Sequence, residues 1–210
     1  MKMKNLLLIA VLFVGISAHA QYDPEAKSVL DAMSAKYKKM AGFSASFKQE
    51  IKNESAGLDE SLEGKITVKG SMYKLAMEDI EVYNNGKEVW VYTPEMEEVT
   101  VSPYDPSEEE ISPGNIYDIY KKGFKYALIS KMGNGDRVIE MDPESRDKSY
   151  HKIRMIINGN NELKTFTVFE RSGNKYIYTI QNIKPMSNLT EKSFVFDTQK
   201  FPNVEVIDFR

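Results

Sequence analysis

Few residues in this sequence are equipped for chemistry. It contains no cysteine and only two histidines, His19 and His151. That excludes thiolate nucleophiles, cysteine-based zinc sites and a lipidated N-terminal cysteine, and it leaves imidazole chemistry to very few side chains. His151 follows Tyr150 at the start of a strand-like run, where a surface histidine is a simpler reading than a proton shuttle or metal ligand. Asp142 and Glu144 flank Pro143 and are the pair of carboxylates that a glycan- or lipid-cleaving enzyme would need for acid/base work. Carboxylates beside a proline ordinarily make a turn, and Asp136 and Asp147 also fall near turn residues. The run Glu108-Glu109-Glu110 reads as a solvated loop. There is no Gly-x-Ser-x-Gly elbow, phosphate-binding glycine loop, His-Glu-x-x-His or EF-hand loop. The residues point away from an enzyme and name no catalytic group, metal ligand or cofactor.

What the sequence carries instead is apolar surface: ten Phe, twelve Tyr and eleven Met among 210 residues. Methionine adapts to irregular apolar partners, and aromatic strand faces can build either a core or a ligand cavity. The formal net charge of −3 argues against nucleic acid and offers no attraction to anionic lipid heads.

The elements that would position this surface follow from periodicity. Residues 1–20 read as a secretory signal: Lys2 and Lys4, an apolar run over 6–16, and the Ala18-His19-Ala20 cleavage pattern. The run is too short to span a membrane. Residues 21–210 then form a single domain. Asp23-Pro24 opens a helix whose apolar stripe is Ala26, Val29, Leu30, Met33, Tyr37 and Met40, with Gly42 as its stop. The period then changes to two. Phe43, Ala45 and Phe47 alternate with serines and Lys48, and similar alternation runs through 62–69, 73–78, 126–131, 137–141, 152–157, 163–170 and 175–183. Serial half-buried strands imply a curved antiparallel meander. Asn85-Gly86 marks a hairpin. The strand after it is apolar on both faces, with Val89 and Val91 on one and Trp90 and Tyr92 on the other, so it needs cover on both sides. The stretch 102–114 is long for a structureless connection. Ser112-Pro113 can cap a second short helix bearing Ile116, Ile119 and Tyr120, placed to lid the sheet.

This arrangement resembles the LolA family of periplasmic lipoprotein carriers. The resemblance rests on the signal segment, the opening helix, Phe43-x-Ala45-x-Phe47-x-Gln49, Gly64-x-Ile66-x-Val68-Lys69, and most specifically Asn85-Gly86-Lys87-x-Val89-Trp90-x-Tyr92-x-Pro94. It implies a mostly antiparallel β fold with a few helices: an unclosed half β-barrel lidded by helices around an apolar cavity for acyl chains. The arginine that often follows the second strand in this family, and helps hold its lid, is replaced here by Gly70-Ser71, with Lys69 and Lys74 as partial substitutes.

The resemblance further implies a monomeric periplasmic carrier of acylated lipoproteins, loaded by an inner-membrane lipoprotein-releasing transporter and unloaded at an outer-membrane acceptor. Its expected acyl-binding residues are Phe47, Leu75, Met77, Val89, Trp90, Val91, Tyr92, Met155 and Phe169 from the strands, with Ile116 and Tyr120 from the lid. A sensor or regulatory domain of the same fold, binding lipoprotein or peptide, is the alternative.

Overall fold

The opening helix begins where its capping residues place it. A computed structural model describes residues 22–106 and 111–210; the expected signal segment and the run Glu108-Glu109-Glu110 lie outside the described residues. Helix α1 spans Pro24–Lys38. One carboxylate oxygen of Asp23 accepts from the N–H of Glu25 at 2.8 Å and of Ala26 at 3.4 Å, which satisfies amides left open at a helix start. The other accepts from the N–H of Leu128 at 2.9 Å, so one residue both caps the helix and fastens it to a strand. Ala26, Val29, Leu30, Met33 and Tyr37 form its buried face. Gly42 does not end this helix, which stops at Lys38. A Cβ at Gly42 would stand 2.6 Å from Leu189 Cδ1 and 2.9 Å from the carbonyl oxygen of Val68, so the glycine serves a close crossing of chain segments.

Among the described residues, twelve strands make one sheet. They are β1 (Phe43–Asn53), β2 (Leu58–Lys69), β3 (Met72–Met77), β4 (Glu81–Asn84), β5 (Glu88–Thr93), β6 (Glu98–Pro103), β7 (Phe124–Lys131), β8 (Arg137–Pro143), β9 (Tyr150–Ile157), β10 (Leu163–Glu170), β11 (Lys175–Pro185) and β12 (Glu205–Asp208). The spatial order is β12-β6-β5-β4-β3-β2-β1-β11-β10-β9-β8-β7. Two antiparallel meanders, β1 to β6 and β7 to β11, are thus joined through the β1–β11 pair, and β12 adds a parallel edge beside β6. The end strands β12 and β7 do not pair, so the sheet is an unclosed half-barrel. Its curvature has a local cause at the junction. Register shifts between Ser44 and Ser46 against β11, where Asn182 takes φ 53° and donates its side-chain amide to Ser46 Oγ at 2.9 Å; such bulges bend a strand pair. The Asn85-Gly86 hairpin forms between β4 and β5, with Gly86 at φ 85°.

Apolar residues gather in two places. The larger core lies on the concave side, where α1 packs over β7 to β10 with Ile139, Met141, Ile153, Met155, Ile157 and Phe166 beneath it. The smaller lies outside β4 to β6, where Tyr83, Trp90, Tyr92, Val99 and Val101 are covered by Phe196 and Phe201 of the C-terminal segment.

The second α-helix expected after Pro113 does not form. The carbonyl of Ser112 accepts from Asn115 and Ile116 at 3.1 and 3.0 Å, and the chain continues in turns to a single 3-10 turn at Ile119–Lys121. Between Gly114 and Gly123, Asn115, Ile116, Tyr117, Asp118, Ile119 and Tyr120 all rank low in helix propensity. Gly114 also crosses Ser71 so closely that a Cβ would lie 2.8 Å from its carbonyl oxygen.

Candidate functional site

Between the lid segment and the uncovered part of the concave face lies a cavity of about 580 Å³, within the range of small-molecule sites. Its walls come from β1, β2, β3, β4, β10 and β11, and its roof from Ile111, Pro113, Ile116 and Tyr117. The floor includes the ring of Phe47, which lies over Gly64. A Cβ at Gly64 would meet Phe47 Cζ at 2.5 Å and Cε1 at 2.7 Å. Glycine therefore lets that ring lie flat on the sheet and leaves the space above it open. Among the described residues, Glu170 is the one charged group in the lining.

The roof is held at one end of the cavity. Tyr117 stacks on Tyr37 with ring centroids 5.4 Å apart, and Tyr37 meets Phe43 edge-on at 5.2 Å. The Tyr117 hydroxyl donates to the Gly70 carbonyl at 3.2 Å. On the far side of the segment, Asp118 accepts from Ser34 at 2.6 Å and pairs with Lys38 and Lys121, each at 2.6 Å. Burial alone would raise the Asp118 carboxyl, but hydrogen bonds from Lys121, Lys38 and Ser34 outweigh it and hold the group at about 2. Burial pushes the Tyr37 hydroxyl up to about 12. The two substitute lysines do not reach the roof. Lys69 donates to the Leu189 carbonyl at 2.7 Å, and Lys74 pairs with Glu81 at 3.0 Å and sits over the Tyr83 ring at 4.4 Å.

The structure sorts the expected acyl-binding residues into four groups. Phe47, Leu75, Met77 and Ile116 line the cavity. Val89 and Val91 lie on the same face, since Val91 pairs with the lining residue Val82 and Val89 with Asn84, but they stand outside the lining. Trp90, Tyr92 and Phe169 face away from it. Trp90 and Tyr92 belong to the outer core. Strand alternation puts Phe166, Val168 and Glu170 in the lining and turns Phe169 out to Arg154, 5.3 Å from its ring, and to His151. Met155 and Tyr120 are buried elsewhere. Met155 is sealed between the sheet and α1. Tyr120 donates its hydroxyl to Asp31 of α1 and anchors the lid segment from behind.

Lining residues not singled out from the sequence include Phe43, Ile66, Tyr73, Val82, Phe166, Tyr176, Tyr178 and Ile180. Their signal was available. Phe43 shares the period-two face of Phe47, and Tyr176, Tyr178 and Ile180 share one face of β11.

The carboxylates considered for acid/base work stand apart from the cavity. Asp142 is exposed on β8, and Glu144 accepts a hydrogen bond from Tyr22 at the far end of α1. Among the described residues no group of three His, Asp or Glu gathers as a metal site, and no helix is long and apolar enough to cross a membrane.

The half-barrel with an apolar cavity under a short lid is the arrangement that the LolA resemblance implies. The family model described as outer membrane lipoprotein carrier protein LolA matches residues 38–197, and the chain belongs to the LolA family. It is 22% identical over 194 residues to the outer-membrane lipoprotein carrier protein of Pectobacterium atrosepticum, with 86% of this chain and 87% of that one covered. It is 24% identical over 209 residues to the protein of the same description from Haemophilus ducreyi, covering 97% and 94%. An uncharacterized conserved protein from Thermus thermophilus shares the fold with a TM-score of 0.55 at 13% identity, over 88% of this chain and 99% of that one.

Proposed function

We propose that this protein is an exported, periplasmic carrier that holds the acyl chains of lipoproteins in its cavity and moves them between the inner and outer membranes without chemistry on the cargo. The observation that supports this reading most is the lidded but open apolar cavity in a member of the LolA family. In this reading an inner-membrane lipoprotein-releasing transporter loads the protein as a monomer, and an outer-membrane acceptor unloads it. Each buried methylene contributes about 0.8 kcal/mol, so full enclosure of a chain of roughly fifteen would contribute about 12 kcal/mol before ordering costs. A carrier must give up its load, and an open trough that leaves part of the chain wet keeps the net affinity below that figure.

Native mass spectrometry of the protein recovered from the periplasm tests the reading. Acylated lipoprotein should co-purify with the wild type and be lost from Leu75→Asp and Met77→Asp, which place a charge in the lining. Phe169→Ala, on the outer face, should retain it. An empty wild-type protein that ignores triacylated lipoprotein and captures an unacylated peptide instead would replace the carrier with a sensor of the same fold.

A further inference from the structure

We infer that the open end of the cavity is a polar subsite for the ester carbonyls of an acylated cargo, built from Gln49 and Tyr178, so that an acyl chain lies with its methyl end beneath the lid and its ester end between β1 and β11. This rests on the carrier reading. The lining is not uniform along β1. At one end Phe43 pairs with Val68, and the roof is fastened there through Tyr37, Tyr117 and Gly70. Two residues beyond Phe47, Gln49 pairs with Leu62 on one side and Tyr178 on the other. Beyond these lie Ser149 and Glu170. The distance from the Phe43 level to the Gln49 level is about 20 Å of extended strand, so an acyl chain laid along β1 runs from an end where the Tyr37 and Tyr117 hydroxyls are already engaged by backbone groups to one where Gln49 and Tyr178 face the chain.

Gln49 and Tyr178 are half-buried in a mostly apolar lining, and neither side chain makes a hydrogen bond to another described residue. The Tyr178 ring is held in place by Phe47 and Phe166, each with a centroid 6.4 Å away, which leaves its hydroxyl as the free end. Burial, with Tyr176 and Glu170 nearby, raises its pKa and keeps it a donor. A glutamine amide offers two N–H donors and a phenol one. An ester carbonyl is an acceptor only, so the two chemistries match, and a carbonyl buried here without them would cost free energy. A free fatty acid would instead bring its carboxylate toward Glu170, a like charge. The site therefore favours esters over acids.

Binding of a dipalmitoyl-glyceryl lipopeptide is to be compared with that of its dihexadecyl ether analogue, which keeps the chains and lacks both ester carbonyls. The wild type should bind the ester about tenfold more tightly, the worth of roughly one net hydrogen bond. Gln49→Leu and Tyr178→Phe, both close in volume to the native residues, should weaken the ester by severalfold and leave the ether unchanged. Equal ester and ether affinity in the wild type, or variants that weaken both ligands alike, would overturn the subsite while leaving the carrier reading intact. A wild type that binds neither ligand would overturn both.

Discussion

The two wings of the sheet are woven from strands of one pattern and reach opposite states. Across β7 to β9 the concave face is closed: Ile139, Met141, Ile153, Met155 and Ile157 are wholly buried in the core that α1 completes. Across β1 to β4 the same face keeps Ile66, Leu75 and Val82 only partly covered, around a cavity. Toward β4 to β6 the tight packing moves to the opposite face, under Phe196 and Phe201. Period-two alternation decides which residues share a face. Which face becomes core is decided by segments far away in the chain, α1 for one wing and the C-terminal stretch for the other. The wing left without inner cover is the one that holds the cavity.

The comparison is broken most forcefully by truncating one residue from each wing. Met155→Ala should cost about 2–5 kcal/mol, because it opens a hole in a sealed core. Leu75→Ala should cost under about 1 kcal/mol, because its side chain already borders open space. Urea unfolding of the two variants measures the difference, and equal losses would mean that both wings are packed alike. Phe196→Ala comes next, at about 3 kcal/mol. Trp90 is the only tryptophan and lies in the outer core, so its emission should shift to the red in this variant while lipopeptide uptake stays at the wild-type level. Lost uptake there would show that the outer core and the cavity are coupled through the sheet.

A smaller effect sharpens the picture inside the open wing. In Gly64→Ala the new methyl group collides with the Phe47 ring, which must swing up into the cavity, and stands 2.9 Å from the carbonyl oxygen of Ala76, so the β2–β3 backbone must also give. Overpacking of this kind costs about 1–3 kcal/mol, partly offset because alanine suits a strand better than glycine. The functional consequence should be the larger one, a severalfold loss of lipopeptide affinity. Unchanged affinity would mean that the Phe47 ring has another resting place and does not set the depth of the floor.

Much of this architecture could be read from residue types. Asp23-Pro24 opens α1, alternation marks the strands, and Asn85-Gly86 makes its hairpin. The cover expected on both faces of β5 is found on the Trp90 side, from Phe196 and Phe201, whereas Val89 and Val91 stay half-buried and join neither core. The choice of face was not legible. Val91 and Trp90 are equally suited to a cavity wall, and only the register with Val82 and the docking of the C-terminal segment separate them. Met155 is indistinguishable from Met77 by type, because both are methionines on an apolar strand face and one of them happens to lie under α1. The expected lid helix fails for a different reason: Ile116, Ile119 and Tyr120 have helical spacing, whereas the crossing of Gly114 over Ser71 is a tertiary contact without a local signature.

The smallest expected effect concerns the fastening between the wings, where Asp118 of the lid segment meets Ser34 and Lys38 of α1 and its neighbour Lys121. Its carboxyl sits at about 2 in the folded protein against an ordinary value of 3.8. The folded state therefore takes up this proton less readily than the unfolded chain. The stabilisation it gives is complete above the unfolded value and is lost as pH falls through the folded one. Lys38 and Lys121 are about half exposed, so screening reduces the contribution to roughly 1 kcal/mol. Asp118→Asn should accordingly be less stable than the wild type by about that amount near neutral pH, and the gap should close as the pH falls from about 4 to 2. If the gap is the same at both ends of that window, the carboxylate charge is not what fastens the lid to α1, and the stacked pair Tyr37–Tyr117 must hold it instead.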